Sequence, residues 1–142
     1  DTPMKKDKYL SFIDAGFAIN LPLQPLLRRN LNVYIICDAS ADGMFAKGTE
    51  LKKVVAYAKE NDLPFPEISF DDIDKTPVSI FYNTQDLSIP MVIYIPNFVE
   101  NSTFDFDYDE QEFSSIMNGI EQAITGNADL IKSAIKRVAD VR

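Results

Sequence analysis

Hydrophobic and polar positions along this 142-residue chain alternate between two spacings, and the change of spacing marks its elements. Residues 31–38 (Leu31-Asn32-Val33-Tyr34-Ile35-Ile36-Cys37-Asp38) are almost continuously apolar, which predicts a central strand in a mainly parallel sheet covered on both faces. A shorter apolar run at 9–13 stops at Asp14-Ala15-Gly16, as a buried strand does when it enters a tight turn. Two further strands are predicted at 78–82 and 91–95, joined by a polar link at 83–88. Helical spacing appears first in Leu51, Val54, Val55 and Ala58, which share one face of a helix over 50–61. Leu63-Pro64-Phe65-Pro66 ends it, because each proline holds its predecessor in extended geometry.

Between the first two strands lies an apolar stretch, 17–27, punctuated by Asn20, Pro22 and Pro25. Prolines at that spacing suit neither a central strand nor a long helix, so an ordered loop or short helical turns are expected. Phe104, Phe106 and Tyr108 alternate with Asp105 and Asp107, the pattern of an extended segment that buries its aromatics. After Asp109 the period changes to that of a helix, with Phe113, Ile116, Met117, Ile120 and Ile124 on one face and Asp109 and Glu112 placed for a capping box. Gly126-Asn127 stops it, and a last helix over 128–141 packs through Ile131, Ala134, Ile135 and Val138. Strands alternating with helices over short links predict an α/β layered architecture.

Size and composition narrow this to one domain, or one lobe of a larger one, with enough apolar side chains (46% of residues) to form a core. A net charge of -8, with no basic block, opposes nucleic acid and anionic bilayers as partners. The lone Cys37 cannot form an internal disulfide, which suits a reducing compartment, and its apolar surroundings predict a buried thiol. No apolar run approaches the roughly 20 residues of a membrane-spanning helix, and the first residues lack the hydrophobic region of a secretory signal. With no histidine, the chain offers neither an imidazole base nor an imidazole metal ligand.

The acids remain as candidate chemistry. Asp14 follows an apolar strand, so its carboxylate emerges where open α/β folds place their sites; the alternative is a turn acid bonded to neighbouring N–H groups. Asp71, Asp72 and Asp74 lack the alternating ligands and central glycine of a calcium loop and read as a solvated loop. Asp38 and Asp42 flank Ser40 without a glycine-rich phosphate cradle, so a strand-end turn is the stronger account. Arg28 and Arg29 suit either a phosphate headgroup or nearby acids, and the pattern does not separate these.

Four collinear segments carry more. Phe12-Ile13-Asp14-Ala15-Gly16, then Asn20-Leu21-Pro22 and Arg28-Arg29, then the strand ending at Cys37-Asp38-Ala39-Ser40, resemble the catalytic-aspartate region of the cytosolic phospholipase A2 and lysophospholipase family, relatives of the patatins. Leu63-Pro64-Phe65-Pro66 and the segment from Ser102 to Phe113 are similar to later parts of the same enzymes. The resemblance implies a C-terminal portion of a patatin-like three-layer fold, with a central, mostly parallel sheet and flanking helices. It implies residues 1–8 as a linker or cleaved N-terminus and 9–142 as part of the catalytic domain.

Carried over by position, Asp14 is the aspartate of a Ser-Asp dyad. Ala15, where the family has Ser or Gly, Gly16 and Asn20 form its supporting loop, Asn20 through its side-chain amide or as an ordinary turn residue. No Gly-x-Ser-x-Gly elbow or glycine-rich oxyanion loop occurs here, so the serine is expected from an N-terminal portion or a second chain. The implied activity is hydrolysis of phospholipid or lysophospholipid acyl esters at a membrane surface by a cytoplasmic protein. No cofactor is expected in this chain, and calcium only through a separate upstream module. The rival readings are a non-catalytic regulatory subunit and an α/β ligand-binding domain with a buried, structural Asp14.

Overall fold

A computed structural model describes residue 14 and residues 18–40, 47–73, 75–96 and 107–141. The elements run α1 (Gln24–Leu27), β1 (Val33–Asp38), α2 (Thr49–Glu60), β2 (Ser79–Phe81), β3 (Met91–Pro96), α3 (Glu110–Gly126) and α4 (Ala128–Val141). The strands form one sheet in the order β1-β3-β2. β1 runs parallel to β3, with Val33 opposite Met91 and Asp38 opposite Pro96, and β2 is antiparallel to β3. This is the α/β class that the alternation of spacings predicts. The predicted strand at 9–13 and the aromatics Phe104 and Phe106 lie outside the described residues, as do Asp42 and Asp74.

Each helix has a local cause. Pro25 stands in the first turn of α1, where its missing N–H is no loss and its fixed φ is already helical. α2 begins at Gly48, whose φ of +63° lies in the left-handed region, and its first turn closes where the Lys52 N–H donates to the Gly48 carbonyl. α3 carries the capping box: the Glu112 N–H donates to Asp109 Oδ1 at 2.8 Å while Glu112 Oε2 accepts from the Asp109 N–H at 3.0 Å. Asn127 alone separates α3 from α4, its side-chain amide donating back to the Ala123 carbonyl.

The core divides between the two faces of the sheet. On one, Tyr34 and Ile36 of β1 and Val92 and Tyr94 of β3 meet Leu21, Leu23 and Leu27 of the α1 region and Leu51, Val54 and Ala58 of α2. On the other, Met91, Ile93 and Ile95 of β3 meet Ala134 of α4, with Ile131 and Val138 alongside. Full burial of a side chain such as Leu27, Leu51 or Ile93 is worth about 1.5–3 kcal/mol, so these contacts dominate the stability of the layer.

Two sequence expectations are corrected. β3, buried at every position, is the central strand, while β1 stands at the edge of the described sheet and alternates buried with exposed. Ile35 is 53% exposed and Cys37 is exposed too, so the thiol is not the buried one its apolar neighbours imply. Both project to the face that α4 covers over β3 and leaves open over β1. The apolar stripe of α3 is open as well: among its described residues only Ala123 is buried, and Phe113, Met117 and Ile124 are exposed.

Candidate active site

Asp14 is exposed. The chain after it is tied down in stages. Ile19 packs against the α1–α2 core, Leu21 and Leu23 are buried in it, and the Leu23 N–H donates to the Leu21 carbonyl at 2.8 Å. Between them the Asn20 backbone N–H donates to Glu50 Oε2 at 2.5 Å. The tie at Asn20 thus runs through the main chain, to a residue that sequence reasoning passes over as an ordinary helix former. Ala15 and Gly16 lie outside the described residues.

Glu50 sits in the first turn of α2 and is only 8% exposed. A carboxylate in that turn is favoured by the unpaired N–H groups and positive end of the helix. Its second oxygen accepts from Lys53 Nζ at 2.6 Å, so both oxygens are engaged and the cost of burying a charge is offset. Nothing in the sequence separates this glutamate from a solvated one; the signal lies in the fold, which brings it against a loop thirty positions away in the chain.

Arg28 spans from the end of α1 to the end of α2, donating to Asn61 Oδ1 at 2.9 Å and to the Tyr57 hydroxyl at 3.3 Å, and it remains exposed. Arg29 is exposed one residue on. Asp38, at the C-terminal end of β1, is buried: Tyr94 of β3 donates to its Oδ2 at 2.6 Å and the Ser40 N–H to its Oδ1 at 2.9 Å. That is the strand-end turn the sequence suggests, reinforced by a cross-strand hydroxyl. It fixes the chain where the two parallel strands end, the end at which open α/β folds place their sites.

A cavity of about 240 Å³ lies at the other end of these strands, lined by Asn32, Tyr82, Leu87, Met91 and Arg137. There the Arg137 guanidinium stacks 4.4 Å from the centre of the Tyr82 ring and donates to its hydroxyl at 3.0 Å. None of the residues proposed from sequence lines this cavity. Among the described residues no three His, Cys, Asp or Glu side chains group as metal ligands, and no helix is long and apolar enough to cross a membrane.

No protein-family model matches the chain. Individual proteins do. It is 25% identical over 179 aligned positions to mouse cytosolic phospholipase A2 zeta, an alignment covering 99% of this chain and 20% of that protein. It is 28% identical over 155 positions to lysophospholipase 1 of Candida albicans, covering 92% of this chain and 26% of that one. The chain therefore spans between a fifth and about a quarter of the length of these relatives. Human GIVD cytosolic phospholipase A2 superposes with a TM-score of 0.75 at 17% identity, over 92% of this chain and 22% of its own. The same enzyme in complex with methyl gamma-linolenyl fluorophosphonate and terbium chloride superposes at 0.72, over 97% of this chain and 25% of its own. At that identity the superpositions speak to fold alone, and the fold agrees with the sequence matches. By sequence along nearly all of its length this chain is similar to cytosolic phospholipases A2 and to a lysophospholipase, and its α/β architecture agrees with that likeness.

Proposed function

We propose that the chain forms part of a cytoplasmic hydrolase of glycerophospholipid or lysophospholipid acyl esters, with Asp14 as the acid of a Ser-Asp dyad. The serine comes from sequence outside these 142 residues or from a partner chain. The observation that carries this reading is the likeness of 99% and 92% of the chain to two lipid-ester hydrolases. It is supported by an exposed Asp14 leading into a loop gripped by Glu50 and the α1 core.

In this mechanism the Asp14 carboxylate accepts the proton of the serine hydroxyl as its oxygen attacks the ester carbonyl. The tetrahedral intermediate collapses to an acyl-serine, and the departing glycerol oxygen takes up the proton. Water then attacks the acyl-serine, giving up its proton through Asp14 and releasing the fatty acid. Donors that stabilise the oxyanion come, like the serine, from outside this chain. A net charge of -8 disfavours direct adsorption of this part to anionic lipid, so delivery to the membrane, and any calcium requirement, reside in another module.

The relative solved with a fluorophosphonate supplies the test, since such reagents phosphonylate an activated serine. The complete protein is expected to take the label, and Asp14→Asn to lose labelling and ester hydrolysis by about 10³-fold or more, as when a catalytic unit is broken. Asp14 is exposed, so the thermal midpoint should hold. Wild-type protein that stays unlabelled would favour the regulatory reading, and an Asp14→Asn variant with full activity would overturn the dyad assignment.

A further inference from the structure

Two cavities meet at Arg137 of α4, and their walls differ in kind. The one already described carries two amides and a hydroxyl, those of Asn32, Asn83 and Thr84. The other, of about 250 Å³, is walled by Ile80, Leu130 and Ala134 and is mostly apolar. Tyr82, Met91 and Arg137 line both, so the guanidinium stands where a polar recess passes into an apolar one. Each recess alone is smaller than the roughly 300 Å³ at which pockets for drug-sized ligands begin, and the pair exceeds it.

Arg137 is prepared for an anion. It stacks on the Tyr82 ring at 4.4 Å and donates one N–H to the phenol oxygen at 3.0 Å, which holds the planar group in place. Its other N–H groups have no acceptor among the described residues, and no carboxylate there is paired with it. Asp86, the acid of the link between β2 and β3, is engaged elsewhere, accepting from the Ser88 N–H at 2.9 Å and hydroxyl at 2.6 Å. Asn83 Oδ1 accepts from the Gln85 and Asp86 N–H groups at 2.8 and 2.9 Å, so the turn that walls the polar recess is fixed without help from a ligand. In a chain of 22 acidic residues, an arginine oriented by an aromatic ring and left without an acid is an anion receptor.

We infer that this junction binds a monocarboxylate with an alkyl chain, the chemical class of a free fatty acid. The carboxylate takes the open edge of the Arg137 guanidinium in two parallel hydrogen bonds, and the chain runs into the recess of Ile80, Leu130 and Met91. One guanidinium matches one negative charge, and no second cation lines either cavity to balance a phosphate dianion. The apolar wall suits an alkyl chain, whereas the hydroxyls of a sugar or nucleoside would meet it unpaired. The site lies at the start of β1 and β3, five residue steps from the Asp38 end, or about 17 Å at roughly 3.3 Å per residue. The inference rests on α4 and the link between β2 and β3 and does not depend on the role of Asp14.

Octanoate binding to the complete protein, followed by equilibrium dialysis below the micelle concentration, tests this. The fluorophosphonate is added first, so that any reactive serine is already occupied. The wild type should bind octanoate at a single saturable site, and Arg137→Gln should bind it about ten- to hundredfold more weakly, as the loss of hydrogen bonds to a charged group implies. Octanol, which lacks the charge, should show no difference between the two proteins. Leu130→Ser should weaken octanoate several-fold by removing part of the apolar wall. Both side chains are exposed, so both variants should keep the wild-type melting temperature. A wild type that binds no octanoate, or an Arg137→Gln variant that binds it equally well, overturns the inference. Octyl phosphate bound more tightly than octanoate also overturns it, by making the ligand a phosphate. Binding is read without turnover: its failure leaves the dyad reading untouched, and a protein that refuses the fluorophosphonate yet binds octanoate through Arg137 would sink the dyad and leave this site standing.

Discussion

The backbone N–H of Asn20 donates to the buried carboxylate of Glu50 at 2.5 Å, joining the loop that follows Asp14 to the first turn of α2. The bond is charge-assisted and short, and Glu50 is held from its other side by Lys53. In the role proposed for Asp14, a loop tied in this way loses orientation entropy before the reaction, and pre-organisation of that kind acts on the rate of the chemical step.

Glu50→Ala removes the acceptor and leaves the Asn20 amide without it, an effect of about 1–3 kcal/mol on stability. Glu50→Gln keeps an amide oxygen at the same reach and should recover most of that loss. In the complete enzyme, Ala should lower kcat with little change in KM, and Gln should restore it. Melting curves and steady-state hydrolysis on the two variants check this. A fall in melting temperature with kcat intact in both would make the grip purely structural.

The elements differ in how far the sequence alone specifies them. α2, α3 and α4 follow from apolar positions at helical spacing, and Asp109 with Glu112 announces the start of α3 because a capping box is a local device. The strand β1 is legible as a strand, and among the described residues it stands at the edge of the sheet and not at its centre. Ile35 and Cys37 make its outer face as apolar as its inner one, and residue type alone cannot tell a face covered within this chain from one left open. The apolar stripe of α3 is open for the same reason. Glu50 was illegible because its partner is a backbone amide, which no side-chain pattern encodes. Asp14 stands apart from an ordinary turn acid only through the collinear resemblance of its surroundings, and its proposed role awaits the labelling experiment.

Tyr34 sets a limit on stability in alkali. Burial raises the pKa of its phenol above the ordinary tyrosine value, and its hydroxyl donates to the Leu26 carbonyl at 3.2 Å. A folded-state pKa above the unfolded one means that the contribution is fully present below about pH 10, where unfolded tyrosine ionises, and is lost as pH rises through the higher folded value. Stability measured by urea unfolding should therefore fall on the alkaline side of that point. Tyr34→Phe should flatten this part of the profile at a cost of about 0.5–1.5 kcal/mol near neutrality from the lost hydrogen bond. An unchanged alkaline slope in the variant would remove Tyr34 from the account.

Two glycines should respond to alanine in opposite directions. Gly48 begins α2 at a φ of +63°, and an added Cβ would stand 3.1 Å from Ile73 Cδ1 and 3.4 Å from the Phe70 ring. Alanine there meets a backbone penalty of about 1–2 kcal/mol before any crowding, and relief would require moving the residues that close this side of the core. Gly126, the last residue of α3, has nothing within 4 Å of its would-be Cβ and no positive φ. Alanine at that position should stabilise by up to about 1 kcal/mol, through helix propensity and a less flexible unfolded chain. Gly48 also precedes the turn that holds Glu50, so its substitution should lower kcat along with the melting temperature, whereas Gly126→Ala should raise the melting temperature and leave kcat alone. Paired thermal melts and hydrolysis rates separate the two, and a Gly48→Ala variant that is destabilised yet fully active would show that the loop after Asp14 tolerates a shift of α2.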